Sequence, residues 1–258
     1  MRPHERIAAA LRAGGRAGEP ALVAFLTAGF PQREKFREQL AAVAEAADVV
    51  EIGVPFTDPM ADGMTIQRSS REALRQGVSL QWILDELSAM TRPRAPLLLM
   101  SYLNPLLSYG YERLAAASAA AGVCGYIVPD LPLDESGELR AALSVHGLAL
   151  VQMVTPVTPA ERMARLCAAS EGFVYAVTMT GTTGKSVAEP GEVIAYLARV
   201  RAAAAVPVCA GFGIRTRAQV EALRGAADGV IVGSALVEVL ERGESPQAWL
   251  AALRPATR

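Results

Sequence analysis

Apolar positions along the chain come in two rhythms. Short, nearly continuous runs recur: ALVAFLT (21–27), ADVVEIG (47–53), PLLLMSY (96–102), CGYIVPD (124–130), LALVQMV (148–154), GFVYAVT (172–178), VPVCAG (206–211) and GVIVGS (229–234). Between them lie stretches such as QREKFREQLAAVAEA, GYERLAAASAAAG, SGELRAALSVHG, PAERMARLCAAS, EVIAYLARVRAAA and RAQVEALRGA, where apolar residues return at helical spacing. A strand that is apolar on both faces must be covered on both, and parallel strands alternating with helices provide that cover. Eight such units predict an α/β fold, a (β/α)8 TIM barrel. A doubly wound open sheet shares the alternation, but no GxGxxG follows the first run. Ahead of that run, Ile7, Ala8 and Leu11 share one helical face and Gly14-Gly15 supplies a stop, which predicts an extra N-terminal helix. No linker or composition shift divides the chain, so residues 1–258 read as one barrel domain.

Composition narrows the partners. With 52% hydrophobic residues in 258, a large core is available. Lys and Arg number 25 against 26 Asp and Glu, without long blocks of like charge, which argues against nucleic acid or an anionic membrane as the main partner. No apolar stretch approaches the roughly eighteen residues of a membrane span. The start, MRPHERIAAALRAGGRAG, lacks the apolar core of a secretion signal. Cys124, Cys167 and Cys209 lie far apart with no CxxC spacing, and read as reduced thiols in a cytoplasmic protein.

Barrel chemistry sits at the C-terminal ends of the strands. Glu51 falls close to the end of the second strand, where Ile52 and Val54 are expected to exclude water and raise its pKa. A carboxyl so tuned can both give and take a proton near neutrality. A structural carboxylate paired with an arginine or a loop amide is the competing reading. Asp58, before Pro59, reads as a turn residue. Asp62, before Gly63, fits a turn as well, but the loop from Val54 to Met64 is long for a βα connection, which favours a role in a site.

Glycines mark the other side of the barrel. TMTGTTGKS (178–186), AGFGI (210–214) and VGSAL (232–236) end the last three strands. Barrels commonly hold phosphate on the loops after strands seven and eight, where Gly211, Gly213, Gly233 and Ser234 sit. His4 and His146 are placed away from that face, and no His/Asp/Glu cluster has metal-ligand spacing, so the site residues include no metal ligand. A Schiff-base aldolase would need Lys35 or Lys185, and only Lys185, in the glycine loop, is placed for it.

FLTAGFP, VVEIGVPFTDPMADGMTIQ, SYLNP, YIVPDLPLDE, GFVYAVTMTGTTG, CAGFGI and DGVIVGSALV stand in the order seen in the tryptophan synthase alpha chain family, which this sequence resembles over nearly its whole length. The resemblance implies cofactor-free retro-aldol cleavage of indole-3-glycerol phosphate to indole and glyceraldehyde 3-phosphate. It implies Glu51 as the acid/base and Asp62 as the carboxylate beside the indole N–H. Phe25 and Tyr175 match residues around the indole, and Thr183 matches a lid residue. Gly184, Gly213, Gly233 and Ser234 match phosphate contacts. The implied partner is a pyridoxal-phosphate-dependent beta chain in an α2β2 assembly, reached through the loop after strand two and SYLNPLLSYG. A stand-alone lyase that releases indole, and a non-catalytic sugar-phosphate-binding activator of a beta chain, are the alternatives. Met64, Thr182, Phe30 and Leu103 depart from the family's usual residues, and none of them replaces an expected catalytic group.

Overall fold

The eight apolar runs lie side by side in chain order. Strands β1 (Ala21–Thr27), β2 (Val49–Gly53), β3 (Leu97–Met100), β4 (Val123–Ile127), β5 (Ala149–Val154), β6 (Val174–Val177), β7 (Val208–Gly211) and β8 (Gly229–Val232) are parallel, and β8 closes on β1. The closed (β/α)8 barrel expected from the pattern is therefore present. The structure is a computed structural model that describes residues 1–15, 19–178, 190–211 and 213–254.

Helices cover the barrel. Among the described residues they are α1 (Pro3–Gly14), α2 (Phe36–Ala46), α3 (Met64–Arg75), α4 (Leu80–Ser88), α5 (Leu103–Tyr109), α6 (Tyr111–Ala120), α7 (Gly137–Val145), α8 (Ala160–Ala169), α9 (Pro190–Ala203), α10 (Arg217–Ala222), α11 (Ser234–Glu241) and α12 (Pro246–Leu253). The β2 to β3 connection holds two helices, because Ser79 caps a second one by accepting the Trp82 N–H at 3.2 Å. Part of SYLNPLLSYG, the segment that the resemblance implies at the partner surface, is helix α5; it buries Leu106 and leaves Leu107 exposed.

Successive strand residues alternate between two cores. Leu22, Ala24, Leu26, Val50 and Ile52 pack outward against helix residues such as Phe36, Leu40 and Val43. Val23, Val49, Leu98, Val151, Tyr175 and Cys209 fill the barrel interior. Two-sided burial explains why the strands read as unbroken apolar runs. Helix α1 closes the N-terminal end, with Ile7 and Leu11 packed into the interior cluster.

Acids near the starts of three strands stitch the bottom of the barrel. Asp48 accepts the Leu22 N–H at 2.8 Å and an Arg254 N–H at 3.0 Å. Glu171 accepts the Leu150 N–H at 3.0 Å, and Asp228 accepts the Val208 N–H at 2.8 Å. Each acid thus satisfies a backbone donor of the neighbouring strand, and every one of them has a partner.

Candidate active site

Glu51 is the third of five residues in β2, so it is set further into the barrel than its expected place near the strand end. Its register partners are Phe25 on β1 and Leu98 on β3. Ile52 and Val54 belong to the outer core, on the opposite side of the strand, so the expectation that they screen Glu51 is corrected. The period-two alternation of a strand turns adjacent residues away from each other. The interior residues Leu98, Tyr175 and Cys209 surround the acid instead, and the proximity of Glu51 helps to push up the Tyr175 hydroxyl and the Cys209 thiol.

Glu51 is 0% exposed, and neither carboxyl oxygen has a hydrogen-bond partner among the described residues. Loss of hydration raises its pKa to about 8. Among the described residues, no arginine or amide pairs with this carboxyl. Glu51 stays neutral at pH 7 and gives up its proton at little cost.

Asp62 stands at the mouth, half-buried, one residue before the Gly63 N-cap of α3. Burial raises its pKa to about 6, and a hydrogen bond from the Tyr102 hydroxyl opposes the rise. Tyr102 also accepts the Ala61 N–H at 2.9 Å, and its ring stacks on Phe56 with centroids 5.2 Å apart. One side chain at the end of β3 thereby ties down the loop after β2. Sequence reasoning placed Tyr102 only within a motif; the available signal was its position directly beyond an apolar strand. Gln67 adds a second tie by donating Nε2 to the Asp62 carbonyl at 2.8 Å. Asp58 is exposed and accepts a hydrogen bond from the adjacent Thr57 hydroxyl, in keeping with a turn.

Two aromatics rest on glycines. A Cβ at Gly53 would lie 2.5 Å from Phe25 Cζ, and one at Gly211 would lie 2.6 Å from the Tyr175 hydroxyl. Only glycine leaves room for either ring. Phe25, Gly53, Asp62, Ile66, Met100 and Tyr102 line a cavity of about 10 Å³, room for about one water. A ring-sized ligand requires side-chain movement there, for which the unbranched Met100 is suited.

On the other side, Gly213 has φ of +81°, Gly233 caps α11, and Ser234 is the first residue of that helix. The free amides of a helix start suit an anion. Thr183, Gly184, Lys185 and Thr182 lie outside the described residues. Met64 begins α3 and is 76% exposed, whereas Phe30 and Leu103 pack inward. His4 bonds Gly147 at the bottom of the barrel, His146 follows α7, and the three cysteines are buried and free.

A profile of the family described as tryptophan synthase alpha chain matches residues 11–255. The tryptophan synthase alpha chain of Nitratidesulfovibrio vulgaris is 47% identical over 249 residues, covering 96% of this chain and 97% of that one. That of Xanthomonas euvesicatoria is 43% identical, covering 99% and 98%. Among solved structures, tryptophan synthase from Mycobacterium tuberculosis superimposes with a TM-score of 0.87 at 37% identity, covering 96% of both chains. The alpha subunit from Legionella pneumophila gives 0.87 at 30% identity, covering 98% of this chain and 97% of that one. With a barrel that presents one buried acid and a second at its mouth, and with relatives of this similarity along its whole length, the chain belongs to the tryptophan synthase alpha chain family.

Proposed function

We propose that Glu51 and Asp62 carry out the alpha reaction of this family, the cleavage of indole-3-glycerol phosphate to indole and glyceraldehyde 3-phosphate. The reaction needs no cofactor in this chain. Neutral Glu51 donates its proton to C3 of the indole, which places positive charge on the ring. Ionised Asp62, beside the ring N–H, stabilises that charge. The Glu51 carboxylate then takes the proton of the side-chain hydroxyl as the C3–carbon bond breaks and the aldehyde forms. The acid is restored, and both protons are accounted for.

The observation that carries this reading is a fully buried carboxyl with no hydrogen-bond partner among the described residues, facing the barrel interior one strand from Phe25. Phe25 and Tyr175 border the ring. Gly213, Gly233 and Ser234, with Gly184, hold the phosphate, and Thr183 matches a lid residue of the family.

Family membership implies a beta-chain partner, in which pyridoxal phosphate resides. We place the partner's surface at the C-terminal face, in an α2β2 assembly. Met60, Met64 and Leu107, exposed at 75%, 76% and 56%, support that choice, since apolar surface of this kind marks docking sites. No helix among the described residues is long and apolar enough to cross a membrane, and the buried free thiols suit the cytoplasm.

The decisive experiment measures indole release from indole-3-glycerol phosphate with and without a beta chain. The native chain should be slow alone and faster with its partner. Glu51→Gln should lose at least about 100-fold in either state, the scale of lost acid/base catalysis. Turnover retained in that variant would refute the assignment, and a rate indifferent to the beta chain would favour a stand-alone lyase.

A further inference from the structure

Glu238 lies on α11, one turn beyond Ser234, and is gripped from two sides. Arg215, in the loop after β7, donates Nη1 to Oε2 at 2.8 Å and Nη2 to Oε1 at 2.9 Å. Thr65, three residues beyond Asp62, donates its hydroxyl to Oε1 at 3.2 Å. A two-point arginine–carboxylate pair fixes orientation as well as distance.

Both grips continue into the site. Gln219 accepts the backbone N–H groups of Arg215 and Thr216 at 2.8 and 3.1 Å and donates Nε2 to the Gly213 carbonyl at 3.2 Å. Arg215 and Gly213 therefore belong to one hydrogen-bonded turn. On the other side, Gln67 of α3 holds the Asp62 carbonyl, and Ile66 packs against the cluster formed by Phe25, Phe30 and Val237. Thr65 thus sits at the junction of the Asp62 loop and the wall of the ring cleft.

We propose that Glu238 is a positioning residue that joins the phosphate end of the site to the Asp62 end, so that a phosphate ligand at Gly213, Gly233 and Ser234 tightens binding of the indole ring. This rests on the reading given under Proposed function. A bound phosphate fixes the β7 loop and the first turn of α11. Because Arg215 and Thr65 share one carboxylate, fixing these segments also holds the start of α3, and the ring then binds to a loop already ordered. Coupling of this kind is reciprocal, so indole must tighten the phosphate ligand by the same factor.

The test uses the purified full chain, indole, and glycerol 3-phosphate as an unreactive stand-in for the phosphate arm. Calorimetry gives the Kd of indole alone and with saturating glycerol 3-phosphate. The native chain should bind indole about threefold more tightly with the phosphate present, on the scale of a partly exposed ion pair. Glu238→Ala and Arg215→Ala should bring the ratio to about one, and Glu238→Gln should keep part of it. Thr65→Val removes only the hydroxyl, leaves the ion pair in place, and should lower the ratio as well. Thermal unfolding checks that each variant is folded. A ratio unchanged in folded Glu238→Ala or Thr65→Val, or a native chain that binds glycerol 3-phosphate without tightening indole, overturns the proposal. A native chain that does not bind glycerol 3-phosphate overturns the phosphate site itself.

Discussion

Asp48 and Glu51 stand three residues apart, just before and in the middle of β2, and their surroundings are opposite. Asp48 accepts hydrogen bonds from Leu22 and Arg254 at the bottom of the barrel, whereas both oxygens of Glu51 are buried and have no hydrogen-bond partner among the described residues. The fold satisfies the first acid and isolates the second. Isolation has an energetic cost, and the cost depends on pH.

The pKa of Glu51 rises from 4.5 to about 8 in the fold. Between those values the folded chain keeps a proton that the unfolded chain has released, so this group makes stability fall as pH rises from 4.5 to 8 and adds no slope above it. Gln cannot ionise. Glu51→Gln should therefore gain stability relative to the native chain as pH is raised, by a few kcal/mol at pH 8 compared with pH 4.5. Urea unfolding at several pH values measures the difference. A gap independent of pH would show that Glu51 ionises normally in the fold.

Catalysis as proposed needs Asp62 ionised and Glu51 protonated. With their pKa values at about 6 and about 8, kcat/KM should rise through the first and fall through the second. Tyr102→Phe removes the hydrogen bond that holds Asp62 down, so the rising limb should move to higher pH while the falling limb stays. Activity at pH 6 should then drop severalfold more than at pH 7.5. A uniform loss across the profile would assign Tyr102 to loop packing alone.

Gly211 and Gly233 offer a steric contrast. A Cβ at Gly211 meets the Tyr175 ring at 2.5 Å, while one at Gly233 comes no closer than 3.7 Å to Phe25. Gly211→Ala should displace Tyr175 and cost about 1–3 kcal/mol of stability. Gly233→Ala should unfold within about 1 kcal/mol of the native chain yet weaken binding of glycerol 3-phosphate, because backbone approach at a helix start is what holds an anion. Equal effects on stability would mean that the ring over Gly211 is free to yield.

The strands were legible because two-sided burial leaves an unbroken apolar run, and α1 was legible because Ile7 and Leu11 recur at helical spacing. The same unbroken run hid the direction of Glu51. Where both faces of a strand are apolar, no alternation marks the interior side, and sequence spacing alone makes Ile52 and Val54 look like its neighbours. Tyr102 was hidden for a related reason, since an aromatic beyond an apolar strand looks like any other core residue until its hydroxyl is placed against Asp62.

By itself, then, the sequence determined the barrel, the identity of its acids and the family. These follow from local periodicity and from motifs that are contiguous in the chain. Only the tertiary structure decided that Glu51 has no hydrogen-bond partner among the described residues while Asp48 accepts from Leu22 and Arg254, that Tyr102 reaches Asp62, and that Glu238 holds Arg215 and Thr65 together. Those facts depend on which strand or helix lies beside which, and closure of the barrel brings residues 65 and 238 within a hydrogen bond of each other.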